Sequence, residues 1–82
     1  MDIKEIEEKV MEVLADRASM DVKQVTLQSR LVDDLGLDSL DAVEIVFQFE
    51  ENYGIDIPDD QIREFKTAQD IVTYLSLTLA AG

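Results

Sequence analysis

The sequence contains no cysteine, no histidine and no tryptophan, and proline occurs once. Without cysteine there are no disulfides and no thiolate metal sites, and nothing points to an oxidising compartment. Without histidine the chain lacks the side chain that most often serves as general base, and the commonest metal ligand. A Ser-His-Asp hydrolase cannot be assembled from this chain alone. Aromatic residues make up 6% of the sequence against 46% for all hydrophobic residues, so the core is expected to be mainly Leu, Ile, Val and Ala. Phe47, Phe49, Phe65, Tyr53 and Tyr74 are its few large pieces.

Positive charge is scarce as well. Seven Lys and Arg face 19 Asp and Glu, giving a formal charge of −12. Such a chain has no basic footprint for nucleic acid and repels anionic membranes, while its field draws in basic protein surfaces. The distribution is uneven: residues 31–62 hold ten acidic residues and no Lys or Arg. The N-terminus lacks the charged start and apolar run of a signal peptide, and no stretch approaches the roughly 20 apolar residues of a membrane span. A cytoplasmic location is the expectation.

Eighty-two residues suit one domain, 1–82. Ile3, Ile6, Val10, Val13 and Leu14 recur at helical spacing, so a helix is expected over 3–17 with Asp2 as its cap. Residues 18–37 lack that period. They read as a long loop pinned by Met20, Val22, Val25, Leu27, Leu31, Val32 and Leu35, with room for a helical turn near 31–35. A second helix is expected over 39–53, capped by Asp38 and stopped by Gly54. Pro58 forbids its resumption, and Asp59 is placed to cap a short helix through 64. Thr67, with Asp70 three residues on, caps a last helix carrying Ala68, Ile71, Val72, Leu75 and Leu79; residues 80–82 are expected to fray. The fold class is all-α: a small four-helix bundle of three principal helices and one short one, with a long loop between the first two.

On the second helix Asp41, Glu44, Gln48 and Glu51 fall along one face. Ala42, Ile45, Val46, Phe49 and Tyr53 fall opposite, with Leu40, Val43 and Phe47 between. An acidic stripe is ordinarily just a solvated face. Here no basic residue is interspersed, although like charges three and four apart repel. With Asp38 occupied as the cap, the Ser39 hydroxyl is left without a capping role, at a helix start whose free amides and dipole favour a phosphate. Read by itself, Asp38-Ser39 is equally an ordinary helix start.

The longer run Val32-Asp33-Asp34-Leu35-Gly36-Leu37-Asp38-Ser39-Leu40-Asp41 resembles the attachment motif of acyl carrier proteins. Glu44, Glu50-Glu51, Ile57-Pro58-Asp59, Thr67 and Tyr74 fall at the family's spacing too, so the resemblance covers nearly the whole chain. It implies a non-enzymatic carrier with 4'-phosphopantetheine attached to Ser39 by a phosphopantetheinyl transferase working from coenzyme A. It implies acyl groups held as thioesters on a sulfur the chain does not itself possess, in fatty acid or related polyketide and specialised lipid synthesis. It implies docking of basic patches on acyl-processing enzymes by Asp38, Leu40, Asp41, Glu44, Phe47 and Glu51, an acyl cavity bordered by Val43, Val46 and Phe47, and a monomer. The chain departs from the family at Ala18-Ser19-Met20, where a Leu-Gly pair is common, at Asn52, which stands for an acidic residue, and at the bulky Phe47 and Phe49. Two other readings compete. One is an unmodified acidic helical module that docks basic proteins. The other is a calcium binder, for which the carboxylates around Asp33 and Asp56 lack the EF-hand spacing.

Overall fold

The computed structural model describes residues 2–81. All four expected helices are present: α1 (Ile3–Ala18), α2 (Ser39–Tyr53), α3 (Asp59–Glu64) and α4 (Ala68–Ala81). A 3-10 turn at Val22–Gln24, which periodicity did not reveal, interrupts the long loop. It is too short to show a repeat. Asp21 caps it by accepting the Lys23 N–H at 3.0 Å.

α1 ends one residue later than expected. Its last turn closes through Ser19, whose φ of 58° lies in the left-handed region. That conformation costs a residue with a Cβ about 1–2 kcal/mol and costs glycine almost nothing. Serine bears that cost at this corner where glycine would not. Ile3, expected on the apolar stripe, is more than half exposed because the first turn overhangs the core. The remainder of the stripe is buried: Ile6, Val10 and Leu14 meet Ile45 and Phe49 of α2 and Ile71, Val72 and Leu75 of α4 in one core. α1 packs chiefly along α4.

The loop is held by main-chain bonds more than by its apolar anchors. Every helix begins with N–H groups that lack partners within the helix. At α4 the loop supplies them: Ala68 N–H donates to Ser29 O at 3.1 Å and Gln69 N–H to Leu27 O at 2.9 Å. Thr67 and Asp70 complete the cap reciprocally, as their spacing predicts. Leu31 N–H donates back to Lys66 O at 3.0 Å, beside an isolated bridge between Arg30 and Thr67. Of the predicted anchors, Val25, Leu31 and Leu35 are buried and Met20 and Leu27 pack against the core, but Val22 and Val32 are exposed. Val22 lies in the 3-10 turn and Val32 in the helical turn at 31–35, and each turn directs its side chain outward.

Gly54, at φ 63°, ends α2 as expected, with its N–H on Glu50 O at 2.8 Å. The cap of α3 is Pro58 and not Asp59: the Pro58 carbonyl accepts from Gln61 and Ile62, and Asp59 becomes the first helical residue. α4 continues through Ala81, so residues 80 and 81 are helical where fraying was expected; Gly82 lies outside the described residues. No described helix is long and apolar enough to cross a membrane.

Glu50 has a structural role that its sequence neighbourhood conceals. Its Oε2 accepts the Ile57 N–H at 2.8 Å, tying the segment after α2 back to that helix. Ile57 is buried, so Glu50→Ala leaves its amide without a partner. The expected cost is about 1–3 kcal/mol, read as a lower urea midpoint. A midpoint equal to wild type would show that water replaces the carboxylate.

Candidate functional site

The start of α2 is organised by two aspartates. Asp38 Oδ1 accepts the Asp41 N–H at 2.9 Å, and Asp41 Oδ2 accepts the Asp38 N–H at 3.1 Å. This reciprocal box was only half expected, since sequence reasoning placed Asp38 as the cap but did not pair it with Asp41. The box leaves the Ser39 and Leu40 N–H groups without a hydrogen-bond partner among the described residues. Ser39 occupies the first helical position, is exposed, and makes no side-chain hydrogen bond among those residues. A hydroxyl free for substitution therefore sits beside unpaired amides at the positive end of a helix, where a phosphate ester is electrostatically favoured.

Ser39 also stands on the rim of a cleft of about 620 Å³ between the 30–38 segment, the first half of α2, α3 and the Phe65-Lys66 corner. Leu31, Leu37, Ile45 and Phe65 are its buried apolar lining, joined by Val43 and Ile62. Phe65 is held edge-on against Tyr74 of α4, with ring centroids 5.7 Å apart. The volume falls in the range of ordinary ligand pockets, and the apolar interior with a polar rim is their usual composition. Of the three residues assigned to an acyl cavity, Val43 lines this cleft. Val46 is buried in the core, and Phe47 is 59% exposed on the outside of α2; neither lines it.

The acidic segment is less bare than its sequence suggests. Arg30 forms a two-pronged pair with Asp34, at 3.2 Å for each prong, and reaches Asp33 at 3.6 Å. The side-chain hydrogen bond from Arg30 holds the Asp34 carboxyl below its ordinary range. From α1, Arg17 Nε donates to Asp41 Oδ1 at 3.0 Å, and its guanidinium also pairs with Glu44. The Asp38 N–H is the main cause of a lowered Asp41 pKa; desolvation opposes it, and Arg17 adds to the lowering. Four of the first five carboxylates in the segment (Asp33, Asp34, Asp41 and Glu44) are thus paired by two arginines that lie outside it. Tertiary contact overrides the local absence of positive charge.

Asp38 keeps one carboxylate oxygen free, and Glu51 is exposed without an ion pair among the described residues. Leu40, at 66%, and Phe47 stand exposed beside the stripe, with Val43 less so. Among the described residues no group of three or more carboxylates gathers into an arrangement able to hold a metal ion.

The family model describing a phosphopantetheine attachment site matches residues 8–75. The chain belongs to the acyl carrier protein family. Acyl carrier proteins of Rickettsia canadensis (strain McKiel), Rickettsia massiliae (strain Mtu5) and Rickettsia rickettsii (strain Iowa) are each 44% identical to it over 70 residues, covering 85% of this chain and 81% of theirs. Members of this family are carriers and not enzymes, and their prosthetic group is phosphopantetheine. That assignment agrees with a chain lacking both Cys and His, because the reactive sulfur belongs to the attached group.

Proposed function

We propose that the chain carries acyl groups on a 4'-phosphopantetheine arm esterified to Ser39 and presents them to enzymes of fatty acid synthesis or of a related lipid pathway, as a monomer in the cytoplasm. The observation that carries this reading is the exposed, unbonded Ser39 hydroxyl at the start of α2, on the rim of an apolar cleft. When bound, the arm supplies a thiol that holds acyl groups as thioesters. The protein's own residues position and shelter. Asp38 and Asp41 fix the helix start by capping one another, and the unpaired Ser39 and Leu40 amides face the ester's charge. Leu31, Leu37, Val43, Ile45, Ile62 and Phe65 offer a dry lining to a saturated chain.

The α2 surface serves docking. Leu40 and Phe47 give an apolar edge, and Asp38, Asp41, Glu44 and Glu51 give a charged ridge suited to a partner with a basic rim and an apolar centre. A phosphopantetheinyl transferase and acyl-processing enzymes are the partners of this surface. The acidic module that docks basic proteins without modification uses the same ridge but has no need of Ser39 or of the cleft.

Incubation with coenzyme A and a broad-specificity phosphopantetheinyl transferase separates the two readings. Intact mass is expected to rise by one phosphopantetheine in the wild-type chain and not at all in Ser39→Ala. No increase in a folded, initially unmodified wild-type sample would leave the docking module as the better account.

A further inference from the structure

Arg17 meets the acidic ridge of α2 from within the chain. It lies on α1, yet its side chain crosses to α2 and engages both Asp41 and Glu44. The engagement is close to complete at Asp41, where Oδ1 accepts from Arg17 and Oδ2 from the Asp38 N–H. Glu44 has one oxygen on Arg17 and remains exposed. Glu51, farther along the same face, has no ion pair among the described residues, and Asp38 retains one free oxygen. The ridge is therefore divided into a masked middle and open ends.

We propose that Arg17 is a specificity-determining residue of the docking surface: an internal competitor that a basic partner must displace or share in order to engage Asp41 and Glu44. The inference rests on the carrier reading. The transferase, which must reach Ser39, works over Asp41 and Glu44, two and five residues farther along the same helix. A partner whose cations are spaced for the middle meets two carboxylates already neutralised, and meets the repulsion of Arg17 as well. Like-charge juxtaposition of this kind discriminates among partners more than it changes the fold. The Arg17 side chain is one-third exposed, so its pairs stabilise the folded chain only weakly and can be exchanged for external ones.

The test is steady-state modification of Arg17→Gln by the transferase, with KM and kcat measured separately at low and high salt. The KM for the carrier is expected to fall roughly three- to tenfold at low ionic strength, with kcat unchanged, and the difference to shrink below about twofold near 0.5 M salt as surface charge is screened. Glu44→Gln should raise KM more in the Arg17→Gln background than in wild type, because only there is Glu44 released. An unchanged or higher KM in a folded Arg17→Gln chain overturns the proposal, as does a fall that persists at high salt. If Arg17→Gln does not fold, Arg17→Lys serves instead. It keeps the charge but loses the fork that spans two carboxylates, and a smaller fall in KM is expected; no fall overturns the proposal. Failure of the carrier reading would look different, since neither chain would gain mass at Ser39.

Discussion

Phe49→Ala is expected to destabilise the fold by about 3–5 kcal/mol, the usual cost of removing a fully buried phenyl ring. Phe49 is fully buried and is the largest side chain so completely enclosed, where α2 meets α1 and α4. Domains of this size bury a smaller share of their surface than larger ones and fall toward the low end of the roughly 5–15 kcal/mol found for native proteins. The loss is therefore most of the total, and the variant should be largely unfolded near physiological temperature. Phe47→Ala, two residues away on the same helix, provides the contrast. Its ring is on the surface, so stability should change by no more than about 0.5 kcal/mol while docking weakens. Urea titrations of the two variants check both statements, and a Phe49→Ala midpoint near wild type would mean that the core closes over the gap.

Loading is expected to produce the opposite effect. A saturated acyl group on the Ser39 arm should raise the melting temperature above that of the arm alone, by an amount that grows with chain length until the cleft is full. Each buried methylene contributes about 0.8 kcal/mol before the ordering of the chain is subtracted. Four methylenes give a gross gain of about 3 kcal/mol, and each net kilocalorie corresponds to roughly 4–8 °C in a domain of this length. Ala42→Leu, which puts a larger side chain into the lining, should reduce the gain while leaving modification of Ser39 intact. If acylated and unacylated forms melt together, the cargo stays outside the cleft.

Much of the fold was legible because helices advertise their ends. Asp38, Gly54, Thr67 and Pro58 are local signals, and the α2 limits deduced from them coincide with the helix observed. Ser39 was singled out by the run from Val32 to Asp41, and the cap at Asp38 agrees with a hydroxyl left free there. The parts that were not legible depend on partners distant in sequence. The loop is fixed by carbonyls that meet the start of α4 some 40 residues later, about which side-chain patterning is silent. Glu50 looked like one more surface acid beside Glu51, yet it caps a buried amide. The acidic stripe looked unopposed because Arg17 lies 24 residues before Asp41. Val46 looked like a cavity residue by its place in the motif; packing put it in the core.

The stitching of the loop to α4 makes the cleft mechanically lopsided. On one side, Leu31 and the Phe65-Lys66 corner belong to a panel joined to the start of α4 by main-chain bonds from Leu31, Ala68 and Gln69. On the other side, α3 is six residues long, contributes no fully buried side chain and has no side-chain cap. Short elements of that kind open at the lowest free energies. The two walls of the cleft therefore differ in stiffness: local opening is expected first at α3, and hydrogen exchange faster there than at Leu31, Ala68 and Gln69 is the result that would show it.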